Sequence, residues 1–290
     1  MAARRRTEPS EQLPAPTSFL QVLEQVGSRP EDLGEQKTKK NYAETLSNRL
    51  AVWLAAKLRA VGDFPGIRPH ADGTGRETTV ASGKGKKPKK TDVRYSTPDT
   101  GLELLVSVKT YSFRDVHTDK PTGVRRLGRY SRNMVRNDHE LRAEAMDIHE
   151  RFPYAVLVAV MFLPFRACED AGVGKGATSS FASAVKTFRH RGGRIRPSDP
   201  YQLFEGFFIG LYDHEGASRG QVQFFDVMES PPRRGRPAVL IDEAALVREI
   251  VKAYGTRNRL YIDYADDVPD APLLQPENDE DDEDEEEPEA

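Results

Sequence analysis

The chain has 290 residues and 37% hydrophobic side chains, enough to bury a core, and its 43 basic and 46 acidic residues give a formal net charge of −3. Residues 277–290 (ENDEDDEDEEEPEA) hold eleven carboxylates and no Lys or Arg; taking those eleven charges out of −3 leaves +8 on the rest, a basic body suited to a polyanion. A single cysteine, Cys168, excludes a disulfide framework or thiolate zinc site, and the longest apolar run, Tyr154–Leu163, falls far short of the roughly 20 residues that cross a membrane.

Met1–Pro16 carries Arg4, Arg5 and Arg6 with no apolar stretch behind them, so no secretory signal is read and an intracellular, cytoplasmic protein is expected. Residues 1–16 and 266–290 are polar, Pro-bearing and biased in charge, and both are expected to be disordered tails. Between them the periodicity predicts a short helix over Ser18–Val26 and a longer one over Asn41–Val61. In the second, Tyr42, Leu46, Leu50, Trp53, Leu54, Leu58 and Val61 form one stripe, ended by Gly62 and Pro65. A Gly- and Lys-rich segment follows, with a strand near Arg76–Ser82. Two extended stretches, Asp92–Thr97 and Leu102–Thr110, flank Pro98-Asp99-Thr100-Gly101, which is good turn chemistry for a hairpin.

Ser131–Phe152 reads as an amphipathic helix that hands over to Tyr154–Leu163, a continuous apolar run typical of a strand covered on both faces. Further on, Ser179–His190 reads as helix, Leu203–Tyr212 and Gln221–Met228 as a hairpin, and Asp242–Tyr254 as a closing helix. The alternation of helices and strands predicts an α/β (α+β) layer fold.

The hairpin carries the chemistry. With its turn centred on Asp99 and Thr100, residues whose numbers sum to about 199 lie opposite each other, so Asp92 faces Ser107. Lys109 shares the face of Ser107, about 6–7 Å further along, while Leu104, Val106 and Val108 point to the other side and suit a core. A carboxylate, a hydroxyl and an ammonium thus converge at one end. Glu103 falls on the Ser107 face but four residues back.

Asp92 … Ser107-Val108-Lys109-Thr110, on a hairpin between a Glu-bearing helix and a helix–strand unit, resembles the PD-(D/E)xK superfamily of restriction-endonuclease-like nucleases over about residues 40–165. The resemblance implies a mixed central sheet flanked by helices, with a C-terminal hairpin-plus-helix extension, in one nuclease domain over 17–265. Asp92 matches the family's Asp and Lys109 its Lys, with Glu44 as the candidate helix Glu. Ser107 stands where the family has its second acid. The activity implied is Mg²⁺- or Mn²⁺-dependent hydrolysis of DNA phosphodiesters in restriction or phage defence, with Asp92, Glu44 and the Val108 carbonyl as metal ligands. The alternative is an inactive restriction-like module that binds nucleic acid or serves in a defence complex, with Ser107 marking the lost carboxylate. Glu44 also has a structural reading, as the Glu of a capping box over Asn41–Glu44.

Double-stranded DNA is the expected partner, with a homodimer as one way to cut both strands. Lys84, Lys86, Lys87, Lys89 and Lys90 precede Asp92 and are expected to neutralise phosphates. Arg125, Arg126, Arg129, Arg132 and Arg136 lead into and along the second long helix, and Arg233, Arg234 and Arg236 form another basic turn. The acidic tail is expected to keep the basic body soluble or to fold back on it. Gly172–Gly176 lacks the Gly-Lys-Ser/Thr ending of a phosphate loop, and His117 has no partners at metal-ligand spacing. His139 and His149 do not share a helix face, and Asp138 and Glu140 read as solvated helix residues.

Overall fold

A computed structural model describes residues 13–75, 79–80 and 89–266, with side chains described over 13–75 and 91–257. Helix α1 (Phe19–Val26) starts where the Ser18 hydroxyl accepts the Gln21 N–H and stops at Gly27, whose φ of 88° suits a residue without Cβ. The chain already packs before it: the Pro14 carbonyl accepts from Gln25 and Arg49, so the expected N-terminal tail ends at the latest before Pro14 rather than at Pro16. Helix α2 (Gln36–Val61) begins five residues earlier than the apolar stripe indicated, because polar helix formers extend it beyond the core-facing region. Its N-cap is Glu35, which puts Asn41–Glu44 inside the helix and removes the capping-box reading of Glu44.

After the short antiparallel pair β1 (Thr79–Val80) and β2 (Lys89–Lys90), strands β3 (Val93–Thr97) and β4 (Gly101–Thr110) form the expected hairpin. Val93 pairs with Val106, which puts Asp92 opposite Ser107. A second ribbon, β5 (Val116–Thr118) and β6 (Arg125–Leu127), was not expected; its polar, exposed strands carry no alternation to betray them. Helix α3 (Met134–His149) then leads to β7 (Val156–Pro164), buried at all nine positions. Helix α4 (Ser180–Phe188), the hairpin β8 (Gly206–Tyr212) and β9 (Val222–Asp226), and α5 (Glu243–Asp266) complete the order.

The central sheet has five strands in the order β3-β4-β7-β8-β9, with β4, β7 and β8 parallel and the two edges antiparallel. It is a mixed sheet covered by helices on both faces. Val156, Val158, Val160 and Phe162 of β7 join Leu104, Val106 and Val108 under α1, α2 and α5. Leu157, Ala159, Met161 and Leu163 point the other way, against α3 and α4. Burying such a side chain fully contributes about 1.5–3 kcal/mol each, which is why the strand with no polar face takes the centre. Among the described residues no helix is long and apolar enough to cross a membrane.

Candidate active site

The hairpin delivers the site. Because β3 starts at Val93, the edge of β4 beyond Val106 is met by the Asp92 side chain, whose Oδ2 accepts the Val108 N–H at 2.8 Å. In a strand the N–H and C=O of one residue project to the same edge, so the Val108 carbonyl opens toward Asp92 as well. Ser107 is 1% exposed, and its Oγ has no hydrogen-bond partner among the described residues. Lys109 emerges from the core at the strand end, with Nζ 4.0 Å from Glu140 Oε2.

Helix α3 supplies groups that the hairpin pattern did not point to. It lies across the Leu105–Ser107–Lys109 face of β4 and places Asn137, Glu140 and Glu144, one turn apart, along it. The Asn137 amide donates to the Tyr111 hydroxyl at 2.7 Å, Glu140 faces Lys109, and the Glu144 carboxylate acts on Asp92. Burial pushes the Asp92 carboxyl up to about 6, and Glu144 adds to the rise; the Val108 N–H and the Lys109 ammonium oppose it. An acid held against ionisation by burial and a second carboxylate is a recurrent mark of functional sites.

Glu44 is not brought to this place. Its helix packs on the opposite face of the hairpin, against Leu104, Val106 and Val108, and Glu44 itself is exposed. The signal for Glu144 was available in the sequence: with Asn137 and Glu140 it repeats at three and four residues beside the apolar stripe, a polar edge on an otherwise core-facing helix. Glu103 also moves from its expected face. A register shift between Tyr95 and Ser96 inserts one residue into β4, so Glu103 turns toward α5 and accepts from Thr97, Thr100 and Tyr254.

A cleft of about 310 Å³ opens one residue past Lys109, between the first turns of α2, the strand end at Thr110–Val116 and the start of α3. Lys39, Lys40, Arg114, Arg132 and Arg136 line it against two carboxylates, Asp115 and Glu140. Asp115 accepts from the Ser131 hydroxyl and the Arg132 N–H, and Glu140 pairs with Arg136 at 2.8 Å. Helix α3 enters this cleft with no side-chain cap on its first turn.

The other expected contacts divide. Arg132 and Arg136 face the cleft, whereas Arg129 is committed to the Thr178 carbonyl and sits 3.9 Å from Asp170. Lys84, Lys86 and Lys87 lie outside the described residues, as do residues 277–290; of Lys89 and Lys90 only the strand backbone is described. Arg234 donates to the carbonyls of Gly172 and Gly174, so that glycine loop offers acceptors to a guanidinium rather than N–H groups to a phosphate. Arg236 lies over the Phe165 ring at 4.0 Å. Asp138 is not solvated as expected: it is 7% exposed and takes both Nε and Nη2 of buried Arg191, at 2.6 and 2.8 Å. His149 is buried, with Nδ1 at the Tyr201 carbonyl.

Among the described residues no group of three or more His, Cys, Asp or Glu is arranged to hold a metal ion. The oxygen donors at the hairpin end are the Asp92 carboxylate and the Val108 carbonyl, with the Glu144 charge near enough to act on Asp92; magnesium keeps several waters and needs only one or two carboxylates besides substrate phosphate. Comparison of the chain with protein-family models, with curated proteins and with solved structures finds no match.

Proposed function

We propose that this protein is a divalent-metal-dependent DNA endonuclease with a restriction-endonuclease-like core. The observation that carries the reading is the grouping of Asp92, Glu144 and Lys109 at one hairpin end, one residue along the strand from a cleft rich in Lys and Arg. Magnesium or manganese there would neutralise charge on the phosphate and acidify a water. Asp92 and Glu144 would hold the ion, with the Val108 carbonyl beside them. Lys109, with Glu140 4.0 Å from its Nζ, would present an ammonium to the oxygens on which charge grows as the water attacks phosphorus and the ester oxygen departs. The Val108 N–H keeps Asp92 oriented. Ser107 contributes no charge, and Glu144 answers for the acid missing at that position. The cleft cations carry the neighbouring phosphates, a sequence-independent contribution to affinity.

Ser107 also supports a second reading, a nucleic-acid-binding module that has lost catalysis. Plasmid cleavage with Mg²⁺ or Mn²⁺ separates the two, with the wild type run beside Asp92→Ala and Lys109→Ala. Cutting by the wild type, abolished in both folded, DNA-binding variants, is the expected result. A wild type that binds DNA from several sources and modification states without cutting any of it would leave the binding module.

A further inference from the structure

Between Lys109 and α3 the chain leaves the sheet to make the β5–β6 ribbon, which belongs to neither core cluster. Every residue from Lys120 to Leu127 is exposed, including Val124 at 50% and Leu127 at 39%. An isolated two-stranded ribbon is marginally stable in water, so this one depends on its root. There the Asp115 carboxylate ties to Ser131 and Arg132, and Arg114 Nε donates to the Gly128 carbonyl at 2.7 Å. Gly128 lies so close under His117 that a Cβ would stand 2.6 Å from the ring Nε2. The ribbon is thus firmly rooted and uncovered.

Its register decides where its charges go. Thr118 pairs with Arg125 and His117 with Arg126, so the two arginines project from opposite faces. The Arg125 face is the one toward the cleft: Val116, on that same face, lines it, and after burial itself the Arg125 charge is the next strongest influence lowering the Lys39 pKa. A cationic cleft whose two carboxylates are already paired, with an arginine-bearing ribbon at its rim, is complementary to a polyanion. The ribbon's shape narrows the choice further, since the major groove of B-DNA, about 12 Å wide, admits a two-stranded ribbon.

Resting on the nuclease reading above, we propose that the β5–β6 ribbon enters a groove of duplex DNA and that Arg125 and Arg126, on its two faces, grip the flanking backbones. The backbone on the Arg125 side is then led across the cleft to Lys109. Because the ribbon springs from the end of the strand that carries Lys109, gripping the groove and presenting the phosphate become one rigid act.

The test is binding of the full-length protein to a labelled 30-base-pair duplex in metal-free buffer, followed by fluorescence anisotropy over a salt series. Arg125→Ala/Arg126→Ala is expected to weaken binding about tenfold or more at low salt and to flatten the log–log salt slope by about two, near 0.9 for each phosphate that is no longer neutralised. The control, Arg142→Ala/Lys186→Ala, removes the same charge from exposed positions elsewhere and is expected to leave both quantities nearly unchanged. Equal affinity and slope in the ribbon variant and the wild type, or equal losses in ribbon variant and control, would overturn the ribbon assignment. If the wild type nonetheless cuts DNA, the nuclease reading survives that result. A wild type that binds no duplex at any salt would overturn both.

Discussion

The Asp92 carboxylate accepts the backbone N–H of Val108, sixteen residues away on the neighbouring strand, at 2.8 Å. One hydrogen bond therefore joins the acid to the residue between Ser107 and Lys109. Displacing either strand end would misplace both groups. The same carboxylate is buried and feels the Glu144 charge, so its ionised form is held at a cost in the absence of a cation.

That cost has a sign and a pH window. The folded-state pKa of Asp92, about 6, lies above its ordinary 3.8, so the native state binds its proton more tightly than the unfolded chain. The stabilisation is complete below about pH 4 and is lost as pH rises through about 6; the shift corresponds to at most about 3 kcal/mol. Asp92→Asn keeps an acceptor for Val108 and never ionises. It is expected to raise the urea midpoint at pH 8, to change it little at pH 4, and to abolish cleavage. An unchanged midpoint at pH 8 would refute the strained carboxylate.

Divalent-metal binding is expected to follow the same titration. A proton on Asp92 competes with the cation, so Mn²⁺ affinity measured by calorimetry should be level above about pH 7 and fall roughly tenfold per unit below 6. In Asp92→Asn that dependence should vanish together with most of the binding.

The two candidate glutamates make opposite predictions. Glu144→Gln removes a charge that acts on Asp92 and is expected to lower cleavage on the order of 10²-fold, the effect of losing a few kcal/mol of transition-state stabilisation. Glu44→Gln alters an exposed residue on the far face of the hairpin and should stay within about threefold of wild type. Single-turnover cleavage of a plasmid at saturating metal measures both.

A separate buried cluster bears on stability. Glu205 is 5% exposed by its side chain and accepts from the Leu157 N–H at 2.8 Å, from Arg194 at 2.7 Å and from Arg257, with the His149 ring 3.6 Å away. Burial alone would raise its pKa, but His149, the Leu157 N–H and Arg194 hold it below the usual value. Glu205→Gln leaves two buried guanidinium groups short of a counter-charge and is expected to cost about 3–5 kcal/mol in urea unfolding at pH 7. The wild-type advantage should shrink as pH falls through the depressed pKa, where Glu205 itself becomes neutral.

Local patterns made much of this architecture legible. The Pro98–Gly101 turn and the alternation on either side of it gave the register of Asp92 against Ser107, and the unbroken apolar run ending at Leu163 gave the buried central strand. Both depend on neighbours within a few residues, and backbone geometry repeats at that range. The five-residue extension of α2 was invisible because its first turns carry no core-facing stripe, and the β5–β6 ribbon because it has no buried face.

By itself, then, the sequence determined the elements that have a buried face, the register of the β3–β4 hairpin and the face of β4 that carries Ser107 and Lys109. The tertiary structure alone decided the surroundings of each carboxylate. The Glu144 charge acts on Asp92 because α3 lies across β4; Asp138 is withdrawn from solvent by Arg191, fifty-three residues on; and a single bulge turns Glu103 to the other face. A charge reports its chemistry in the sequence but not its partner. Ionisation and pairing depend on burial and on groups within a few ångströms, and packing between distant segments sets both.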